Sequence, residues 1–173
     1  KGAEEGIIKG MYKFSAGNTE AKAKVQLLGS GTILREVIAA AELLEKDFGV
    51  AADVWSVTSF NELRRDGIDC ERWNMLHPEA KARASYVEQS LDAKTPVIAA
   101  TDYIRSYADQ IRSFVKARYK TLGTDGFGRS DTRKKLRHFF EVDRFHVAVA
   151  ALKALADEGT IPAGIVTKAI KLY

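Results

Sequence analysis

The chain has 173 residues, 46% of them hydrophobic and 29% charged, with a formal net charge of +4. That length suits one compact domain spanning 1–173, burying roughly 70% of its unfolded surface. With no apolar run near the ~20 residues of a membrane span and no signal-peptide pattern, it reads as a cytoplasmic protein without a membrane partner. The single cysteine, Cys70, excludes an internal disulfide framework and a thiolate metal cluster, and reads as structural. The start at Lys1, without methionine, suggests a fragment or processed product.

Met11 to Phe14 forms a candidate edge strand, followed by the polar turn Ala16-Gly17-Asn18-Thr19. Val25 to Gly29 reads as a short buried strand, with Ser30 or Thr32 placed to cap the helix after it. Ile33, Val37, Ala40, Ala41 and Leu44 recur at helical spacing, and Gly49 suits the left-handed residue beyond that helix. Val54 to Thr58 is a second strand, and the strand–helix–strand order implies parallel pairing. Between Asn61 and Pro96 the pattern is least regular, with short helices expected at Asn61–Arg65 and Cys70–Leu76. Val97 to Thr101 is a third strand. Ile104, Tyr107, Ile111, Phe114 and Val115 trace a helix face, and Tyr119 to Leu122 is a fourth strand.

A glycine-rich loop, Leu122-Gly-Thr-Asp-Gly-Phe-Gly-Arg-Ser-Asp131, then leads to a short helix from Thr132 to Phe140. In that helix Leu136, Phe139 and Phe140 make an inward stripe, so the cations of Arg133-Lys134-Lys135 and Arg137 read as a solvated face. No aromatic platform or known binding fold accompanies them, and no nucleic-acid partner is expected. Asp143 caps a longer helix with apolar Phe145, Val147, Val149, Leu152 and Leu155, ended by Gly159. Pro162 opens a last helix through Leu172. The expected fold class is α/β: a three-layer domain with a mainly parallel sheet of about five strands.

Candidate chemistry is sparse. Gly29-Ser-Gly31 follows a strand and opens a helix as a dinucleotide fingerprint does, but Leu34 takes the third glycine position, where the helix should approach the strand. His77, His138 and His146 lack metal-ligand spacing, and read as surface or packing residues. No G-x-S-x-G elbow surrounds a serine. The loop lacks the G-K-[ST] ending of a phosphate loop. It reads as a structural turn built on Asp125, Gly126, Phe127, Gly128 and Ser130, with Phe127 as an apolar plug and Ser130 or Asp131 as the next helix cap. Residues alone point to no catalytic, cofactor-binding or metal-binding site.

Asp125-Gly-Phe-Gly-Arg-Ser-Asp131 followed by the helix from His146 to Leu152 resembles the C-terminal domain of transketolase-like thiamine diphosphate enzymes. Longer stretches are similar to one branch, the homodimeric bacterial pyruvate dehydrogenase decarboxylating subunits: EEGIIKGMYKF, KVQLLGSGTILREV, DVWSVTSFNELRRDGIDCERWNMLHP, ATDYIRSYADQIRSFV and LGTDGFGRSDTRKKLRHFFEVD. That resemblance implies a full-length enzyme that decarboxylates pyruvate on thiamine diphosphate and Mg²⁺ and reductively acetylates lipoyl groups toward acetyl-CoA. It implies three partners: the other domains of the subunit, a homodimer partner and the dihydrolipoyl acetyltransferase core. The family's G-D-G…N-N diphosphate–metal motif is absent here, so this domain is expected to be non-catalytic and to hold no cofactor. Its implied role is structural and in dimer contact, with Trp55, Phe60, Trp73 and Met75 as possible interface residues and core packing as the alternative. Two other readings are the equivalent domain of transketolase or another 2-oxo-acid dehydrogenase, and a stand-alone anion- or nucleotide-binding module.

Overall fold

The structure is a computed structural model that describes residues 2–173. Its centre is a five-stranded sheet in the order β1-β3-β2-β4-β5, formed by β1 (Met11–Ser15), β2 (Lys24–Ser30), β3 (Ala51–Val57), β4 (Val97–Ala100) and β5 (Tyr119–Leu122). The edge strand β1 runs antiparallel to β3, and the other pairings are parallel. Because side chains alternate along a strand, each inner strand feeds two cores. Leu27 stands in register with Val54 and Ile98 and faces one layer. Leu28, beside Trp55 and Ala99, faces the other.

The first layer contains α2 (Leu34–Phe48), α7 (Arg144–Asp157) and α8 (Ala163–Leu172). In α2 the buried residues Val37, Ala40 and Leu44 form its inward stripe, and Gly49 ends it at φ 64° with its N–H donated to the Glu45 carbonyl. Neither Ser30 nor Thr32 caps this helix. A tight 3-10 turn, Gly31–Ile33, leads into it, and both hydroxyls bond elsewhere. The helix does approach the strand despite Leu34, because Gly29 supplies the room from the strand side. A Cβ at Gly29 would lie 2.8 Å from the Leu34 Cα.

The opposite layer holds α3 (Phe60–Leu76), α4 (Tyr86–Ser90) and α5 (Arg105–Asp109). The two short helices expected around Asn61 and Cys70 are one helix. Gly67 does not break it but lets the Phe114 ring press against its backbone, where any Cβ would collide. Ser59 caps α3 by accepting the Glu62 N–H, and Ser85 with Glu88 forms a capping box on α4. The helix face expected from Ile104 to Val115 is shorter, α5 followed by a 3-10 turn at Arg112–Phe114. A short N-terminal helix, α1 (Glu4–Lys9), precedes β1.

Thr132, rather than Ser130 or Asp131, caps α6 (Arg133–Phe139). Asp143 caps α7 as its position implies, accepting the His146 N–H at 3.0 Å. Between them the chain reverses through Glu141, held at φ 57°. No helix among the described residues is long and apolar enough to cross a membrane.

Candidate functional site

In open α/β sheets a ligand site lies where the chain leaves one strand toward both sides, beyond the strands' carboxyl ends. Here that point is between β2 and β4, because β2 connects to β3 on one side and β4 lies on the other. Hydroxyl bonds stitch the two strand ends together. Ser30 Oγ donates to Thr101 Oγ1 at 2.8 Å inside the fold, and Thr32 Oγ1 donates to Asp102 Oδ2 at 3.2 Å. A cavity of about 480 Å³ lies just outside, bordered by Asp102, Gly126, Arg129, Arg133 and Arg137. Arg137 pairs with Glu36 at 2.8 Å, and the Arg129 guanidinium lies 4.0 Å from the centre of the Phe139 ring. Asp102 adds a carboxylate to the same rim.

The glycine-rich loop closes this end of the sheet. Asp125 accepts the Arg105 backbone N–H at 2.8 Å, and its second oxygen lies 3.3 Å from Arg105 Nε, a proximity of charge rather than an aligned hydrogen bond. Thr124 donates its N–H to the Tyr103 carbonyl at 2.8 Å. Gly123 allows this contact, since a Cβ there would sit 2.8 Å from the backbone of Arg105. Gly126 takes φ 87° and Gly128 meets open space. Phe127 is no plug: at 96% exposure its ring stands in solvent, because the loop is fastened through Asp125 and Thr124 and needs no apolar anchor. Ser130 is exposed beside it. Asp125, bonded to the Arg105 backbone and close to its guanidinium, is engaged within the fold.

Of the four aromatic and thioether candidates, Trp55 and Phe60 lie in the core at 5% and 1% exposure, while Met75 is 71% exposed. Trp73 is partly exposed between His77, stacked at 4.5 Å, and the Arg83 guanidinium at 4.0 Å. Cys70 is half-buried. Burial, then the charges of Asp66 and Glu88, push its thiol up, away from an activated nucleophile.

The α6–α7 corner is the other polar centre, and residue spacing did not reveal it. Glu36, buried on α2, accepts Arg137 at 2.8 Å and Arg144 Nε at 3.0 Å. Burial pushes the Glu36 carboxyl up, but the Arg144 hydrogen bonds and both guanidinium charges outweigh it and hold it below its ordinary value. Beside it, His138 Nδ1 lies 3.0 Å from Asp143 Oδ2 and His146 Nδ1 lies 2.7 Å from Asp143 Oδ1. Burial again opposes ionisation, and bonds from His146 and His138 win, lowering the Asp143 carboxyl. The two histidines, eight apart in sequence across a helix break, meet because the turn at Glu141 folds α6 back on α7.

The mainly parallel sheet flanked by helices, with its strand-end loops fastened to one another, defines a doubly wound α/β domain. The family model of the transketolase-like TK C-terminal domain matches residues 10–143, and the chain belongs to that family. Over its full length it is 64% identical to a Pseudomonas aeruginosa protein named pyruvate dehydrogenase E1 component, and 57% identical to the Escherichia coli protein of the same name. It spans 20% and 19% of the lengths of those two relatives. Among solved structures, the transketolase from Leishmania mexicana superposes with a TM-score of 0.58 over 91% of this chain and 20% of that one. At 20% sequence identity that likeness shows the fold alone.

Proposed function

We propose that this chain is the C-terminal domain of a cytoplasmic, homodimeric pyruvate dehydrogenase decarboxylating subunit, and that its work is structural. The observation that carries this is the 64% identity over the whole chain to a protein named as that component, of which the chain spans one fifth. The complete enzyme would decarboxylate pyruvate on thiamine diphosphate and Mg²⁺ held by its other domains, then reductively acetylate the lipoyl groups of the acetyltransferase core.

The hydroxyl bonds that tie the strand ends together and the engaged Asp125 support a non-catalytic role for this part. Its surface supports a docking role. Tyr103, Ile104 and Phe127 are exposed on the loops that follow β4 and β5, and Met75 and Leu76 are exposed at the end of α3. Apolar side chains gathered in this way commonly mark contact surfaces, here for neighbouring domains or the dimer partner, with Trp73 at the margin of the second group.

The test is direct. Given pyruvate, thiamine diphosphate and Mg²⁺, the 173-residue chain shows no decarboxylation; turnover would overturn the reading. In the source cell the same sequence belongs to a species several times heavier than 19.1 kDa, and a native mass near that value would overturn it as well.

A further inference from the structure

We infer that His138, Asp143 and His146 form a binding site for a borderline divalent metal ion, Zn²⁺ or Cu²⁺, at the corner between α6 and α7. One donor atom from each residue falls within a single sphere in which all three lie within 4.8 Å of one another. The two imidazole–carboxylate separations are already 3.0 and 2.7 Å. Tetrahedral Zn²⁺, with bonds of about 2.0–2.1 Å, places its ligand atoms about 3.3 Å apart. Capture therefore needs each imidazole–carboxylate pair to open by a few tenths of an ångström, while donors as far as 4.8 Å apart close by up to about 1.5 Å.

The rings also differ usefully in access. His138 has 68% of its side chain exposed, whereas His146 is 30% exposed and Asp143 is 11% exposed. One exposed donor beside two more buried ones lets an ion enter from solvent and leaves its remaining position to water.

Two nitrogens and one oxygen select the metal. Mg²⁺ and Ca²⁺ require shells of oxygen, whereas imidazole suits Zn²⁺, Cu²⁺ and Ni²⁺. The site is therefore distinct from any Mg²⁺ centre serving a diphosphate. A neutral ring that carries its proton on Nε2 presents the Nδ1 lone pair to the ion, so capture asks at most a change of tautomer and no loss of a proton.

Charge sets the affinity. Arg137 and Arg144 border the same groove but share the Glu36 carboxylate, and Lys135 pairs with Asp131, while Arg133 and Lys134 remain as repelling neighbours. Binding should be moderate in strength and follow the order Cu²⁺ above Zn²⁺. A bound ion would clamp the end of α6 to the start of α7, where the Asp143 and Glu36 carboxylates now join them.

Equilibrium dialysis of the purified chain with elemental analysis tests the site, using ZnCl₂, CuCl₂ and MgCl₂. One equivalent of Zn²⁺ or Cu²⁺ and no stoichiometric Mg²⁺ are expected. His138→Gln and His146→Gln should each weaken Zn²⁺ binding at least tenfold and abolish the rise in melting temperature that Zn²⁺ produces. His77→Gln, on the opposite layer, should change neither. The Cu²⁺ form should show an electron paramagnetic resonance signal split by two imidazole nitrogens. Asp143 is left intact in these variants because it also caps α7. Absence of saturable binding, or binding unchanged in His138→Gln, would sink the inference. Neither result bears on the pyruvate dehydrogenase reading, which the turnover and native-mass measurements test separately.

Discussion

The glycine-rich loop after β5 and the corner between α6 and α7 are separated by only one short helix, yet they differ in almost every physical respect. The loop is conspicuous in sequence and mechanically simple: three glycines, one carboxylate fastened to the neighbouring Arg105 backbone, and an aromatic ring in solvent. The corner is inconspicuous in sequence and electrostatically dense. There a buried glutamate holds two arginines and an aspartate holds two histidines within hydrogen-bond distance. Glycines announce local backbone demands, which any reader of the chain can see. Charge convergence depends on a chain reversal, which spacing does not encode.

The comparison predicts unequal stability losses. At the corner, Glu36→Gln should have the largest effect. It weakens charged hydrogen bonds worth about 1.5–3 kcal/mol each before compensation, and both guanidinium groups can partly recover by turning to water. A net loss of about 2–3 kcal/mol in chemical denaturation is expected. The Glu36 carboxyl is depressed in the folded state. Its stabilisation is therefore fully present above the unfolded value near ~4.3 and is lost as pH falls through the lower folded value. Glu36→Gln should flatten the fall in stability in that acidic window; an unchanged slope would mean the ion cluster contributes little.

In the loop, Gly123 and Gly126 give an internal control. A Cβ on Gly123 meets the Arg105 backbone and the Tyr103 carbonyl at 2.8 Å, whereas one on Gly126 meets nothing within 4 Å and suffers only from φ 87°. Gly123→Ala should cost about 2 kcal/mol through overpacking, and Gly126→Ala about 1 kcal/mol through backbone conformation. Equal melting-temperature losses would mean that the contact with Arg105 is not what holds the loop.

How much of this was legible follows the same division. The short buried run of β2 and the period in α2 gave the layers, and Asp143 as a cap was visible from its place before an apolar helix. The two short helices expected at Asn61–Arg65 and Cys70–Leu76 are one, α3, because the close approach of Gly67 to Phe114 depends on a partner 47 positions away that local pattern cannot supply. The Ser85–Glu88 capping box, by contrast, was written in the chain and overlooked among polar neighbours. Trp55 and Phe60 looked like interface residues because bulk alone does not distinguish a core from a contact surface. The histidine pair was invisible because its geometry rests on Glu141 adopting a left-handed conformation, rare for a residue with a side chain.

Asp143→Ala sharpens the corner's side of the comparison with a smaller effect than Glu36→Gln. Loss of the cap on α7 costs typically about 1 kcal/mol, and the bonds from both histidines disappear with it. The depressed Asp143 carboxyl contributes stability above its unfolded value near ~3.9 and loses it as pH falls further. The substitution should therefore lower the melting temperature at neutral pH and converge with the parent chain in strong acid. Asp143→Asn retains a capping oxygen and should recover part of the loss.

The smallest effect on the domain itself should come from Phe127→Ser. The ring is 96% exposed and touches no core residue, so its removal from the isolated chain should shift stability by less than about 0.5 kcal/mol, as for other surface changes. In the complete subunit the proposed role reverses that expectation. If Phe127, with Tyr103 and Ile104, is covered by a neighbouring domain or the dimer partner, its removal leaves an apolar pocket unfilled on the other side. The longer protein should then dissociate at higher concentration, or lose its cooperative unfolding, while the isolated domain behaves normally. Analytical ultracentrifugation of the full-length variant alongside melting of the isolated chain separates the two contributions. A ring that matters in neither setting would remove the loop from the docking surface and leave the end of α3, around Trp73 and Met75, as its remaining candidate.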